Sequence, residues 1–226
     1  MPKMESIRNP LVWICLVLGL GWACTEEDPV PRPYGYSKAV LPQRNRVVWD
    51  SSVFPARFEF NSVAVPRLLS SDLGINKEGN RPMQAGTLWM NLDYAGLRAQ
   101  VHLSYHPLNR VYFGNGQKVG VADALAVLMA ETQRMTFKHT LKASGIEEAL
   151  VKYPEHRVFG MLYTVRGNAA SQTQFYVTDS IRHYLRGSLY FGATPNADSL
   201  QPYSEYILED VKHLLSTLTW APQGDS

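Results

Sequence analysis

The sequence lacks the common motifs that indicate a catalysed reaction. It contains no Gly-x-Ser-x-Gly elbow and no phosphate-binding glycine loop with its lysine. Its six histidines show no metal-ligand spacing, and His102 and His106, four residues apart, lie on a predicted strand rather than on one helical face. We therefore expect no metal and no cofactor, and we assign no catalytic residue.

The chain also has only one long uncharged apolar run, Leu11–Ala23, which follows Lys3 and Arg8. A charged head, an apolar middle and a small-residue exit are typical of a signal peptide. The run is about 13 residues long, whereas a membrane-spanning helix needs roughly 20. We therefore predict that residues 1–23 are a signal peptide and not a permanent transmembrane anchor.

Cysteine is scarce, with two in the chain, and Cys15 lies inside the predicted signal peptide. Cys24 follows Gly21-Trp22-Ala23, which resembles a lipobox, although an aliphatic residue is usual at the position of Gly21. Cys24 would have no intramolecular partner, and acylation explains an unpaired exported cysteine. Each buried methylene contributes about 0.8 kcal/mol, so several acyl chains anchor a protein firmly. We predict lipidation of Cys24; secretion with a free thiol is the alternative.

An excess of charge of one sign is absent too. The 22 basic and 20 acidic residues become 20 and 19 when Lys3, Arg8 and Glu5 are removed with the signal peptide, which leaves a net charge of about +1 with histidine neutral. This balance gives no reason to expect a nucleic-acid partner.

Residues 24–46 are polar and rich in proline, which favours an extended chain, so they predict a lipid-anchored spacer. The alternative is a first segment that packs along the domain through residues such as Val40. Residues 47–226 contain no linker-like break, so we predict one domain there.

The order of elements in this domain predicts an α+β fold, with a mainly antiparallel sheet packed by helices. Alternating or apolar segments predict strands at Ala56–Val65, Thr87–Leu92, Leu97–Tyr105, His156–Arg166, Gln172–Asp179 and Ile181–Phe191. Helical spacing of apolar residues predicts helices at Val121–Met135, Ile146–Tyr153 and Pro202–Leu218, the last being amphipathic. Gly187 indicates a bend or close packing.

Several polar groups are candidates for a partner or ligand surface. Lys138, His139 and Lys142 combine cations with Phe137, which suits either a docking patch or a solvated helix end. The remaining candidates are Asp179, Arg182, His183, Arg186, Asn196 and Asp198. Glu209 and Asp210 are predicted to lie on an exposed helical face as solvated charges.

Several longer motifs stand out along the chain: Trp89-Met90-Asn91, Ser104-Tyr105, Lys138-His139-Thr140, Gly160-Met161-Leu162-Tyr163, Gly167-Asn168-Ala169-Ala170-Ser171, Gln174–Ser180, Leu185–Phe191 and Pro195–Leu200. Together they resemble a known family, the gliding-motility lipoproteins GldD of the Bacteroidetes. The resemblance covers most of the chain from Cys24 to Trp220. It implies a cell-envelope lipoprotein needed for gliding motility and type IX secretion, with other envelope proteins of those systems as partners, and it implies no known reaction. The element order is also loosely similar to PsbP-like domains.

Three hypotheses follow for the domain. The first is a non-enzymatic assembly or scaffolding factor. The second is an envelope enzyme with a dispersed site around Asp179, Arg182, His183 and Arg186. The third is a small-ligand-binding module on a polar sheet face that bears His102, Ser104, Tyr184 and Arg186. The alternative, which we favour over a ligand site, is that these side chains simply pair across exposed strands.

Location follows from the residues after the lipidated cysteine. Thr25 replaces the aspartate associated with retention in the inner membrane, so we expect an outer-membrane anchor facing the periplasm. The acidic Glu26-Glu27-Asp28 leaves the cell surface open, and the inner membrane remains an alternative.

Overall fold

The computed structural model describes residues 39–69, 86–110, 118–138, 143–193 and 196–221. The signal peptide and Cys24 lie outside these ranges. The strands are β1 Arg46–Trp49, β2 Ala56–Asn61, β3 Val65–Leu69, β4 Leu88–Tyr94, β5 Ala99–Pro107, β6 Ala143–Tyr153, β7 Val158–Gly167, β8 Thr173–Thr178, β9 His183–Phe191 and β10 Thr219–Trp220. The α-helices are α1 Val121–Lys138 and α2 Ala197–Thr217.

Seven strands form one sheet in the order β3-β4-β5-β9-β8-β7-β6, and every neighbouring pair is antiparallel. Three more strands form a small antiparallel sheet in the order β1-β2-β10. The predicted α+β class, with an antiparallel sheet and a C-terminal helix, is confirmed.

The large sheet has two faces because side chains alternate along each strand. On one face, which we call the α2 face, Leu103 and Leu185 join Ile207 and Leu214 of α2 and Phe58 of β2 in the main apolar core. On the opposite face, which we call the α1 face, residues of α1 pack on three tyrosines. The α1 residues are Ala124 and Leu128, and the tyrosines are Tyr163, Tyr176 and Tyr184.

The predicted helix at Ile146–Tyr153 is wrong, because this segment belongs to the 11-residue strand β6. It pairs with β7 from Ala143 to Tyr153, with a register shift beside Gly145. Glu147 also forms an ion pair with Arg166 across the two strands, at 2.9 Å. Glu, Ala and Leu favour helix locally, but strand pairing over this length outweighs that weak preference.

The predicted strand at Ala56–Val65 is two strands in different sheets. β2 ends at Asn61, whose side-chain Oδ1 accepts the N–H of Val63 at 3.2 Å. The N–H of Ala64 donates to the Asn61 carbonyl at 2.9 Å, and β3 begins at Val65. Asparagine commonly stabilises such turns through its own side chain, and this turn carries the chain from the small sheet to the large one.

The β4–β5 and β6–β7 hairpins close with the same turn. In each, a tyrosine precedes three residues of 3₁₀ helix, and an arginine follows in the left-handed region, Arg98 with φ 50° and Arg157 with φ 54°. The arginine N–H donates to the carbonyl of the first helical residue at 3.1 Å in both. The turns fix the register of two hairpins within one sheet.

Gly187 marks close packing within the sheet. A Cβ at this position would lie 2.2 Å from the ring of Phe175, which is buried on the neighbouring strand β8. Only glycine leaves room for that ring, so the predicted close-packing role is confirmed.

The described residues between 39 and 221 belong to one compact unit. Within it, Val40 is 84% exposed, whereas Arg44 and Arg46 contact Asp210 of α2. The folded part thus includes the last residues of the predicted spacer. None of the described helices is long and apolar enough to cross a membrane.

Candidate functional site

The predicted surface residues lie at three places in the fold. Lys138 is exposed at the end of α1, whereas His139 and Lys142 fall outside the described residues. Asn196 caps α2 by accepting the N–H of Ser199 at 3.3 Å, and Asp198 is exposed in the first turn of that helix. The remaining four, Asp179, Arg182, His183 and Arg186, occupy the β8–β9 connection and β9.

Asp179 organises the turn between β8 and β9. Its Oδ1 accepts the backbone N–H groups of Ile181 at 3.0 Å, Arg182 at 2.8 Å and His183 at 2.8 Å. Burial alone would raise the pKa of this carboxyl, but the three hydrogen bonds outweigh burial and lower it. The carboxylate therefore stays charged and holds the turn, in which Ser180 has a φ of 66°.

His183 is buried at the start of β9. Its ring stacks on Trp220 with centroids 4.9 Å apart, and its Nδ1 lies 2.8 Å from the Tyr105 hydroxyl. Burial lowers the pKa of this imidazole, although the charge of Asp179 opposes the effect. A neutral ring in these contacts joins the C-terminal strand β10, through Trp220, to the large sheet.

The four residues of the proposed dispersed enzyme site do not converge on one face. His183 contacts Tyr105, which belongs to the α2-face core, and Trp220, which packs against that core. Arg186, three residues further along β9, contacts Met135 of α1. Residues three apart on a strand point to opposite faces. Arg182 precedes β9 and is exposed.

Polar groups do gather on the α1 face. Ser104 of β5 and Tyr176 of β8 lie opposite Arg186 of β9, and His102 lies two residues from Ser104 on the same face. Tyr184, which the sequence placed on this polar face, is buried and donates its hydroxyl to the Leu128 carbonyl of α1 at 3.1 Å. Tyr184 thus serves the packing of α1, and Arg186 remains as the partly exposed cation.

Two histidines flank this arginine. Burial, and then the charge of Arg186, lowers the pKa of His106 to about 4 and also lowers the pKa of His102. His102 Nδ1 lies 2.7 Å from Asn91 Oδ1. Both rings are therefore neutral near pH 7, and Arg186 carries the positive charge among these three groups.

The prediction that Asp210 lies on an exposed helical face is wrong, because its carboxylate is buried. It is 3% exposed and accepts four hydrogen bonds through its two oxygens. The donors are Arg44 Nε at 3.1 Å, Arg46 Nη1 at 2.8 Å, Asn61 Nδ2 at 2.9 Å and the Tyr94 hydroxyl at 3.2 Å. We call these five residues the Asp210 cluster.

The Asp210 cluster joins the N-terminal end of the domain to α2 and to both sheets. Arg44 also donates to the Tyr206 carbonyl at 3.0 Å and lies 4.2 Å above that ring. Burial, followed by the Asp210 charge, raises the pKa of the Tyr94 hydroxyl, which therefore remains a donor. A signal was present in the sequence, since Asp210 lies three residues after Ile207 and four before Leu214 on the apolar stripe.

In the described ranges, His, Cys, Asp and Glu side chains form no group of three or more that could hold a metal ion. Comparison with known proteins finds a family model described as "Gliding motility lipoprotein GldD", which matches residues 26–220. No curated protein matches the chain.

Proposed function

Because the chain belongs to the GldD family of gliding motility lipoproteins, we propose that it is a non-enzymatic assembly or scaffolding factor for gliding and type IX secretion. The family's description makes it a membrane-associated protein of the cell envelope. In this role the domain would hold other envelope proteins of these systems in place and catalyse no reaction.

The observation that carries the proposal is the Asp210 cluster. A lipidated Cys24 would stand 20 residues before Arg44 (44 − 24), so the intervening chain could reach at most about 70 Å. Force on such an anchor would enter the domain at Arg44 and Arg46, which bind a carboxylate of the C-terminal helix. A buried carboxylate with four donors suits a domain that carries load between a membrane and its partners.

The contacts of Asp179 and His183 favour a structural role over an enzymatic one. The Asp179 carboxylate accepts three backbone N–H groups, and the His183 ring stacks on Trp220. Groups committed to a turn and to ring packing are poorly placed to transfer protons to a substrate.

We further propose an outer-membrane anchor that faces the periplasm.

The proposal is tested by a clean deletion of the gene in the bacterium that encodes it. We expect cells to retain type IX cargo, with less cargo in the medium, and we expect the wild-type gene to restore export. Variants Asp179→Asn and His183→Gln that accumulate to normal levels should also restore it. Normal cargo export in the deletion strain would remove the assembly role, and loss of export with a stable, abundant variant would favour an enzyme.

A further inference from the structure

Arg186 is a cation with poor hydrogen-bond partners. In the described part of the chain its side chain makes one hydrogen bond, from Nη1 to the Met135 sulfur at 2.8 Å, and its buried Nε–H has no acceptor. Thioether sulfur is a weak acceptor, whereas a guanidinium has five N–H donors. Such a group is normally satisfied by a carboxylate or by water.

Gln174 is a second unsatisfied donor on the same face. It is fully buried, its Oε1 lies 3.3 Å from Thr136 Oγ1, and its Nε2 has no described partner. Gln174 lies opposite Ser188 while Tyr176 lies opposite Arg186, so Gln174 and Arg186 are diagonal neighbours across β8 and β9. Diagonal pairs in antiparallel strands are about 7–8 Å apart, which one small group can bridge.

The surroundings of Arg186 contain other donors but no described ion-pair partner. Ser104, 8% exposed, lies opposite Arg186 on β5, and the neighbouring His102 and His106 are neutral. On this face of β4, Asp93 is already bonded to Gln100 and Arg67. A partly buried charge without a counterion is unfavourable to the folded state unless something compensates it.

We propose that the α1 face binds the oxyanion of a small soluble molecule, a carboxylate or a phosphate, between Arg186 and Gln174. The Arg186 Nε–H and the Gln174 amide supply donors from diagonal positions on β9 and β8, and Arg186 supplies the charge. Because Arg186 Nε and Gln174 Nε2 are both buried beneath the end of α1, the site suits one compact oxyanion better than an extended partner surface. This inference is independent of the proposed scaffolding role.

The test is thermal unfolding of the full-length mature lipoprotein in detergent, at one pH and one ionic strength, in chloride, acetate or inorganic phosphate. At about 100 times its Kd, a bound oxyanion raises the Tm by roughly 5–10 °C. We expect acetate or phosphate to do so, and the effective anion identifies the ligand class. Arg186→Met should lose the response, while the control Arg166→Met, which removes an exposed arginine on β7, should keep it.

A third variant guards against misfolding of Arg186→Met. Arg186→Lys keeps the charge but loses the planar fork, so we expect a folded protein with about tenfold weaker oxyanion affinity. The proposal is overturned if neither oxyanion raises the Tm of the wild-type protein above its value in chloride. It is equally overturned if the Arg186 variants respond as strongly as the wild type.

Discussion

Replacing Asp210 with alanine should destabilise the domain more than any ordinary surface substitution. The change leaves the Asn61 amide and the Tyr94 hydroxyl, which are 0% and 1% exposed, without their shared acceptor. An unsatisfied buried donor costs about 1–3 kcal/mol. Tyr206 still accepts from Asn61, and the half-exposed Arg44 regains water, which moderates the loss. We therefore expect a loss of about 3–5 kcal/mol, within the range for breaking a buried ion pair.

Urea unfolding followed by circular dichroism measures this loss directly, and the Tm should fall by roughly 10 °C. The matched control is Glu209→Ala on the same helix turn, because Glu209 is exposed and, among the residues that the structure describes, its ion-pair partner is Lys212. That change should alter stability by less than about 0.5 kcal/mol. If Asp210→Ala stays within about 1 kcal/mol of the wild type, the Asp210 cluster does not hold the domain together as described.

Two further predictions concern the large sheet. Gly187→Ala should destabilise the protein by about 1–3 kcal/mol in the same urea assay, because the new methyl group meets the Phe175 ring. In the control Gly96→Ala the new methyl group has nothing within 4 Å, so the loss of stability should be small. Equal losses in the two variants would contradict this packing. Burial raises the pKa of Tyr163 to about 12 and also raises that of Tyr184, from a value of 10.0 when unfolded. Their contribution to stability is complete below pH 10 and is lost as pH rises towards 12. Phenolate absorbance should therefore rise together with unfolding in this pH range. Ionisation of all tyrosines near pH 10, in a protein that stays folded, would contradict this prediction.

Local patterns predicted the elements whose own side chains decide their structure. The helix expected at Val121–Met135 is α1, Val121–Lys138, and the alternation expected along the last strand is that of β9, His183–Phe191. In both, the apolar period matches the face that is buried. The C-terminal helix was likewise visible, although it begins at Ala197 and not near Pro202.

The failures came from contacts with other segments of the chain. The residues of β6 favour helix by themselves, and only the β7 strand makes them extended. Asp210 resembles a solvated charge beside Glu209, yet its partners Arg44 and Tyr94 lie 166 and 116 residues away in sequence. No local window contains those donors, so neither the Asp210 cluster nor the surroundings of Arg186 could be derived from spacing alone.

The proposed assembly role depends on the lipid anchor at Cys24. We would test it by comparing type IX cargo in the medium of deletion cells that carry either the wild-type gene or Cys24→Ser, with both proteins at equal abundance. We expect export with the wild type and retention with the variant, because an unacylated domain leaves the membrane. Full export by a stable, unacylated Cys24→Ser protein would contradict it.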